Sequence, residues 1–431
     1  MTTTVILSTS FEIRAASAQK KEATMSSGQA QKLSLAEGLL RGVGSPVRRA
    51  LEKSLESKEL SCDDLLVLLS TTGRELFALC AVADLAREED VGDEVSYVIN
   101  RNINSTNVCY VGCSFCGFAR HKGDEDAYDR DLEDVVKRAT EGWNLGATEV
   151  CIQAGIHPNK DGFWYRETIE GVKAALPDMH IHGVSPEELH WGHQHSGGKT
   201  LEDYLRMLKE SGLGSIPGTA AEILDDDVRR VLSPRKLNVE RWIEIIRTAH
   251  GVGLPSSSTI MYGHIEKPEQ IAKHMEILRD IQKDTGGFTE FVPLGFIHSN
   301  TRLYREQGAR PGASMPEDLR MVAIGRLFLR PWLRNVQVSW VKMGLKLSQA
   351  GLMSGANDFG GTLMEESISQ AAGSEHGDNV DVETIERLIR ELGRIPYERT
   401  TTYGRQERRA RKPQELLQQA PPQPAVLGNG Y

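Results

Sequence analysis

Val95-Ser-Tyr-Val-Ile-Asn-Arg-Asn-Ile103 leads through Asn-Ser-Thr into Asn107-Val-Cys109-Tyr-Val-Gly-Cys113-Ser-Phe-Cys116-Gly-Phe118, so a strand-like run delivers three cysteines into a polar loop. The spacing C-x3-C-x2-C suits thiolates that each hold one iron of a [4Fe–4S] cluster and leave the fourth iron open to a small molecule. Zinc also takes thiolates in tetrahedral sites. It would need a fourth ligand, for which His121 is nearby, and the stretch lacks the paired C-x2-C knuckles of zinc modules.

Beyond this run the chain repeats a strand-then-helix alternation. Strands are expected over 95–103, 148–153, 180–184, 214–217, 256–261, 289–294 and 335–340, with a short piece before Asn357. Helices are expected over 132–143, 165–175, 201–211, 239–250, 268–285 and 316–329, and helical patterns also precede Val95. Such alternation implies parallel strands joined by right-handed crossovers, and about eight units would close a (β/α)8 barrel. Chemistry on such a barrel belongs at the C-terminal ends of its strands, where the cysteine loop falls.

The chain has 431 residues, 39% of them apolar and 26% charged, with a net charge of −9. That composition suits a soluble globular protein acting on small molecules, without the broad cationic surface of a nucleic-acid binder. No apolar run approaches the roughly 20 residues needed to span a bilayer. Six cysteines in so long a chain do not make a disulfide scaffold, and Cys62, Cys80 and Cys151 read as buried apolar thiols. Residues 1–32 read as a disordered leader or an organellar transit peptide, so the expected location is the cytoplasm, or an organelle if the leader is cleaved. Residues 33–94 read as a helical extension, 95–330 as the core, 331–399 as the part completing the barrel, and 400–431 as a disordered basic and Pro/Gln-rich tail.

The C-x3-C-x-aromatic-C pattern, with Phe115 in the aromatic place, resembles the signature loop of radical S-adenosylmethionine (SAM) enzymes. The resemblance implies an α/β, TIM-type barrel in which Cys109, Cys113 and Cys116 hold a [4Fe–4S] cluster and SAM binds the open iron. It places Phe115 near the adenine and Gln153-Ala154-Gly155 near the SAM amino group. Glu222 would lie against the ribose hydroxyls, or would instead favour the N-terminus of a helix beginning near Ile223. Further stretches are similar to the deazaflavin and menaquinone branch of the superfamily. They are Asn107 to Arg120, Gln153-Ala-Gly-Ile-His-Pro158, Ser257-Ser-Thr-Ile-Met-Tyr-Gly-His264, Gln337-Val-Ser-Trp-Val-Lys-Met-Gly344 and Gly355 to Glu366.

The likeness is strongest to the tyrosine-handling part of FO synthases, which make the deazaflavin precursor of coenzyme F420. It implies L-tyrosine and 5-amino-6-(D-ribitylamino)uracil as substrates, joined as a 4-hydroxybenzyl adduct at uracil C5 with release of 2-iminoacetate, 5′-deoxyadenosine and methionine. A single cysteine triplet implies that a separate radical SAM subunit closes the ring, and an electron donor is required. The alternatives are a radical SAM enzyme of the futalosine pathway to menaquinone, or a non-catalytic iron–sulfur or zinc protein.

Substrate-handling candidates at expected strand ends are His157, Tyr262, Asn357 and Asp358, with His264, His298, Trp340 and Lys342 behind them. His157 would donate to a substrate oxygen or move a proton, or would bond to loop backbone. Asn357 and Asp358 would bind the uracil edge or ribityl hydroxyls, or would form an Asx turn. His190, His193 and His195 read as surface-loop histidines and not as a metal site.

Overall fold

Short aliphatic and β-branched runs, each followed by an amphipathic segment, fold as parallel strands with crossover helices between them. A computed structural model describes residues 37–407. The leader expected over 1–32 and the tail beyond 407 lie outside the described residues. The strands are β1 (Glu94–Val98), β2 (Asn100–Asn104), β3 (Glu149–Gln153), β4 (His180–Gly183), β5 (Ser256–Tyr262), β6 (Phe288–Gly295), β7 (Asp358–Gly361) and β8 (Ile395–Glu398).

Parallel pairing runs β2–β3–β4, with Asn104 opposite Gln153. Bridges His182–Ser215 and Ile216–Ser256 carry it to the pair β5–β6, and bridges Phe291–Val336 and Gln337–Asp358 carry it on to β7. Strand β7 pairs with β1, which closes the ring. Because β1 and β2 are one run broken at Ile99, the ring has eight parallel positions, two of them only bridge-length: Ser215–Ile216 and Val336–Gln337. Val150, Ile181, Ile216, Phe291, Val336 and Phe359, each fully buried, give the ring an apolar residue from six of these positions. Each such burial is worth about 1.5–3 kcal/mol.

Three departures from the sequence reading have physical causes. The run 95–103 is split because β1 pairs with β7 and β8 while β2 pairs with β3, so the chain changes neighbours midway. The last ring strand follows Asn357 and does not precede it, which puts the Gly355-Ala-Asn loop at the base of the barrel. The segment after Arg399, expected to be tail, is folded as far as Gln406: the Thr401 hydroxyl donates to Glu149 at 2.6 Å, and Gln406 N–H to the Glu398 carbonyl. The buried Glu149 carboxylate at the barrel base requires such a donor.

Ahead of the barrel stand helices Ser45–Leu55, Cys62–Leu69 and Gly73–Val91, the second opened by a Ser61/Asp64 capping box. They are latched to the barrel wall where Arg279 donates to the Leu60 carbonyl and Arg320 to that of Thr71, both at 2.6 Å. Among the described residues no helix is long and apolar enough to cross a membrane.

Candidate active site

The loop after β2 is held in shape before any ligand arrives. Asn107 accepts from Tyr128 N–H and donates to the Asp126 carbonyl, while Arg120 N–H donates to the Asn107 carbonyl and Cys109 N–H to that of Arg120. The Arg120 guanidinium gathers the carbonyls of Gly117, Phe118 and Ala119. Ser114 is clamped from two sides: it donates to Leu232, and its carbonyl accepts from Leu303 N–H at 2.8 Å. Gly112, with φ of 67°, makes the left-handed turn that brings Cys113 inward.

Cys109, Cys113 and Cys116 line one cavity of about 400 Å³ at the C-terminal ends of the strands. Phe115 and the strand end Gln153-Ala154-Gly155 line it too. A Cβ at Gly155 would come within 2.5 Å of the Val108 carbonyl, so only glycine lets this strand end sit against the cysteine loop. Burial pushes the Cys109 and Cys113 thiols up, with the Lys236 ammonium opposing at both. A cationic group bound by the sulfurs would supply the charge that burial withholds from the free thiolates. Soft thiolates in a preformed loop, facing a cavity with a close-packed glycine edge, fit an iron–sulfur cluster with a small ligand on its open corner.

Glu222 also reaches this cavity, in the left-handed region at φ 41°. Its carboxylate, 8% exposed, pairs with Lys236 at 2.8 Å and with Arg229 at 3.3 Å. The alternative role at a helix start is overturned, because the next helix begins at Asp226 and is capped by Asp225. Lys236 is the residue the sequence reading missed. Burial opposes its charge, but Glu222, Cys113 and Glu187 outweigh that and hold the ammonium above its ordinary range. It also stands 5.4 Å over the Phe115 ring. Nothing in Ser233-Pro-Arg-Lys236 advertises this place.

A second missed residue is Glu188, on the helix Pro186–Gln194. One carboxylate oxygen accepts from Ser185 in a capping box, and the other accepts Ala154 N–H at 3.0 Å. The helix start thereby fixes the strand end. Burial raises this carboxyl to about 7. Its sequence signal, Ser185-Pro-Glu-Glu188, is an ordinary capping box.

Of the substrate-handling candidates, Lys342 reaches the cavity, and His157, Tyr262, Asn357 and Asp358 do not line it. His157 is buried beside Lys122 and Asp129 in a separate cavity of about 330 Å³, its Nδ1 accepting Asn159 N–H, which is the loop role. The Tyr262 hydroxyl donates to Asp318 at 2.6 Å, toward the helix Met315–Leu329. Asn357 accepts from Arg326 and Val336 N–H, and Asp358 pairs with Arg399 at 2.5 Å. Both lie at the barrel base because Asn357 precedes β7 and Asp358 opens it. His264 is tied to Glu266, His298 packs edge-on against Tyr304, and Trp340 donates to the Gly361 carbonyl. Lys342 donates to Ser369 at 2.5 Å, and burial lowers its pKa while Glu366 and Cys116 oppose the fall. Gln337, Asn102 and Glu366 line the same cavity.

His190 and His193 lie on the helix Pro186–Gln194 and not on a surface loop, and both accept from the Arg241 guanidinium, at 3.2 and 2.9 Å. His195 stacks on Trp191. A guanidinium donating to two imidazoles takes the lone pairs a metal would need.

A ring of parallel strands with a three-cysteine loop at its C-terminal edge defines a radical SAM protein. Residues 103–278 match the Radical SAM superfamily and residues 285–412 the CofH/MqnC C-terminal region. The chain belongs to the family of the 5-amino-6-(D-ribitylamino)uracil–L-tyrosine 4-hydroxyphenyl transferase of Methanothermobacter thermautotrophicus, with which it is 48% identical over 356 residues, 83% of this chain and 96% of that one. The transferase of the same name from Methanocaldococcus jannaschii is 46% identical over 80% of this chain and 97% of its own. The FO synthase of Nocardia farcinica is 49% identical over 81% of this chain, which spans 40% of that longer protein. Two solved structures share the fold: methylornithine synthase (TM-score 0.62, 18% identity, 80% of this chain and 97% of that one) and the maturase HydG of Carboxydothermus hydrogenoformans (0.67, 15%, 87% and 84%).

Proposed function

We propose that this chain joins the 4-hydroxybenzyl group of L-tyrosine to C5 of 5-amino-6-(D-ribitylamino)uracil, releasing 2-iminoacetate, 5′-deoxyadenosine and methionine. The observation that carries the reading is the 48% identity extending over 96% of a relative bearing that activity in its name. When bound, the [4Fe–4S] cluster and SAM would supply the radical chemistry that removes a hydrogen from tyrosine.

The chain's own residues then have distinct tasks. Cys109, Cys113 and Cys116 hold iron. Phe115, Gln153, Ala154 and Gly155 shape the SAM seat, and Glu222, paired with Lys236 and Arg229, accepts from the ribose hydroxyls. Lys342, Gln337 and Asn102, which line the same cavity, offer polar contacts to tyrosine and the ribitylated uracil. Val292, Leu294, Phe296 and Leu363 wall the cavity with apolar surface, which excludes water from a radical. Ring closure is left to a separate radical SAM protein, and the longer length of the FO synthases supports that division.

The test is anaerobic: reconstitute the cluster, add dithionite, SAM, tyrosine and the ribitylaminouracil, and look for the hydroxybenzyl adduct by mass spectrometry. SAM cleavage without adduct sinks the substrate assignment. No SAM cleavage by a protein with an intact cluster sinks the radical reading.

A further inference from the structure

Lys342 and Glu366 line the cysteine cavity with opposite charges, yet they are not an ion pair. Lys342 stands in the first turn of the helix Trp340–Leu352, and Glu366 caps the helix Ser367–Ala372. Ser369 bonds to both: its hydroxyl accepts from the Lys342 ammonium at 2.5 Å, and its N–H donates to the two Glu366 oxygens, at 3.1 and 3.0 Å. Among the described residues the ammonium has no other hydrogen-bond partner and no carboxylate at ion-pair distance. Glu366, 7% exposed, takes that N–H where a carboxylate has room for about four donors. The acidic groups acting on Lys342 are Glu366 and Cys116, which sets it toward the iron ligands. A third group also lacks a partner. The buried Oδ1 of Asn102, a residue of the same cavity wall, accepts no hydrogen bond among the described residues. Asn102 N–H donates to the Met364 carbonyl at 2.9 Å, which ties this residue to the loop that carries Glu366.

Charges and acceptors withheld from water are costly when unpaired, so a ligand gains by bringing an anion to Lys342 and N–H groups to Glu366 and Asn102. We propose that these three residues clamp the α-carbon end of L-tyrosine, Lys342 taking its carboxylate and Glu366 with Asn102 its amino group. The proposal rests on the transferase reading. Of the two substrates in that reading, the ribitylaminouracil has no ionised group to neutralise either residue, whereas tyrosine has one of each sign. SAM is an amino acid as well, but that reading seats it at Gln153-Ala154-Gly155 and Glu222. The 2-iminoacetate released keeps the carboxylate and the nitrogen of tyrosine. A clamp on those two groups therefore holds this fragment still while the benzyl group passes to uracil C5, and it turns the reacting end of tyrosine toward Cys116.

The test compares three ligands that share the phenol: L-tyrosine, tyramine, which lacks the carboxylate, and 3-(4-hydroxyphenyl)propanoate, which lacks the amino group. Binding is measured anaerobically by calorimetry on reconstituted, SAM-loaded protein without reductant, so that nothing turns over. Wild type should prefer tyrosine to each analogue by roughly ten-fold or more, because each analogue leaves one buried charge unpaired. Lys342→Met should lose the preference over tyramine and keep that over the propanoate. Glu366→Gln, which retains an acceptor for Ser369 N–H, should do the reverse. Comparing ligands within one variant cancels any loss of folded protein, and SAM affinity should match wild type in both. Equal falls for all three ligands, or preferences that survive both variants, overturn the clamp alone. A selective loss of SAM or ribitylaminouracil affinity also overturns it, by giving these side chains to another ligand. A wild-type protein that binds SAM but not tyrosine overturns the transferase reading and the clamp with it.

Discussion

Cys113 is one peptide bond from solvent-exposed Gly112, yet it lines the same cavity as Lys236. Replacing Cys113 with Ala should abolish both bound iron and SAM cleavage, as read by iron assay and 5′-deoxyadenosine release; retained turnover would refute its role as a ligand. Lys236→Met should weaken SAM binding about ten-fold by leaving Glu222 with Arg229 alone, since a charge-assisted hydrogen bond is worth roughly 1.5–3 kcal/mol. Lys236→Arg should restore most of that affinity, and an unchanged dissociation constant in the Met variant would remove Lys236 from the SAM seat. The cysteines could be read from sequence because three ligands fall within eight residues of one loop. Lys236 could not, because only the fold carries it back to Phe115 and Cys113 from more than a hundred positions downstream.

The helix Pro186–Gln194 shows how one element serves another. Its capping residue Glu188 uses its second oxygen to hold the strand end at Ala154. Glu188→Gln keeps one acceptor but turns an amide donor toward Ser185 or Ala154, so stability should drop by roughly 1–2 kcal/mol in denaturant titrations. The pH dependence has a definite sign. Burial raises this carboxyl from 4.5 to about 7, so the folded chain binds its proton more tightly than the unfolded chain. That contribution is complete below pH 4.5 and is lost as pH rises toward 7. Wild type should therefore lose more stability than Glu188→Gln between those limits, and parallel curves would disprove the assignment. At β7 a frame of a few residues decides the outcome: Gly355-Ala-Asn looks like a loop ending a strand, but it begins one, so Asn357 and Asp358 fall at the opposite end of the barrel from the cysteines.

For the molecule as a whole, the ring closes where β7 meets β1, and its base is sealed by the segment from Arg399 to Gln406. Arg399, 4% exposed, pairs with fully buried Asp358, which also accepts from Ser96. Arg399→Met should destabilise the protein by about 3–5 kcal/mol, because it strands a buried carboxylate. Adding Asp358→Asn should recover part of that loss, and two independent, additive losses would show that the ion pair is not what joins the C-terminal segment to the ring. Alternating helices and strands, the cysteine loop and the glycine at 155 were all readable in the chain, because each is a local pattern imposed by period, spacing or backbone approach. Which charged groups meet was decided only by tertiary structure: Lys236 with Glu222, Glu188 with Ala154, Arg399 with Asp358. Buried polar groups must find partners wherever the closed ring brings them, and that pairing follows distance in space, which sequence order does not encode.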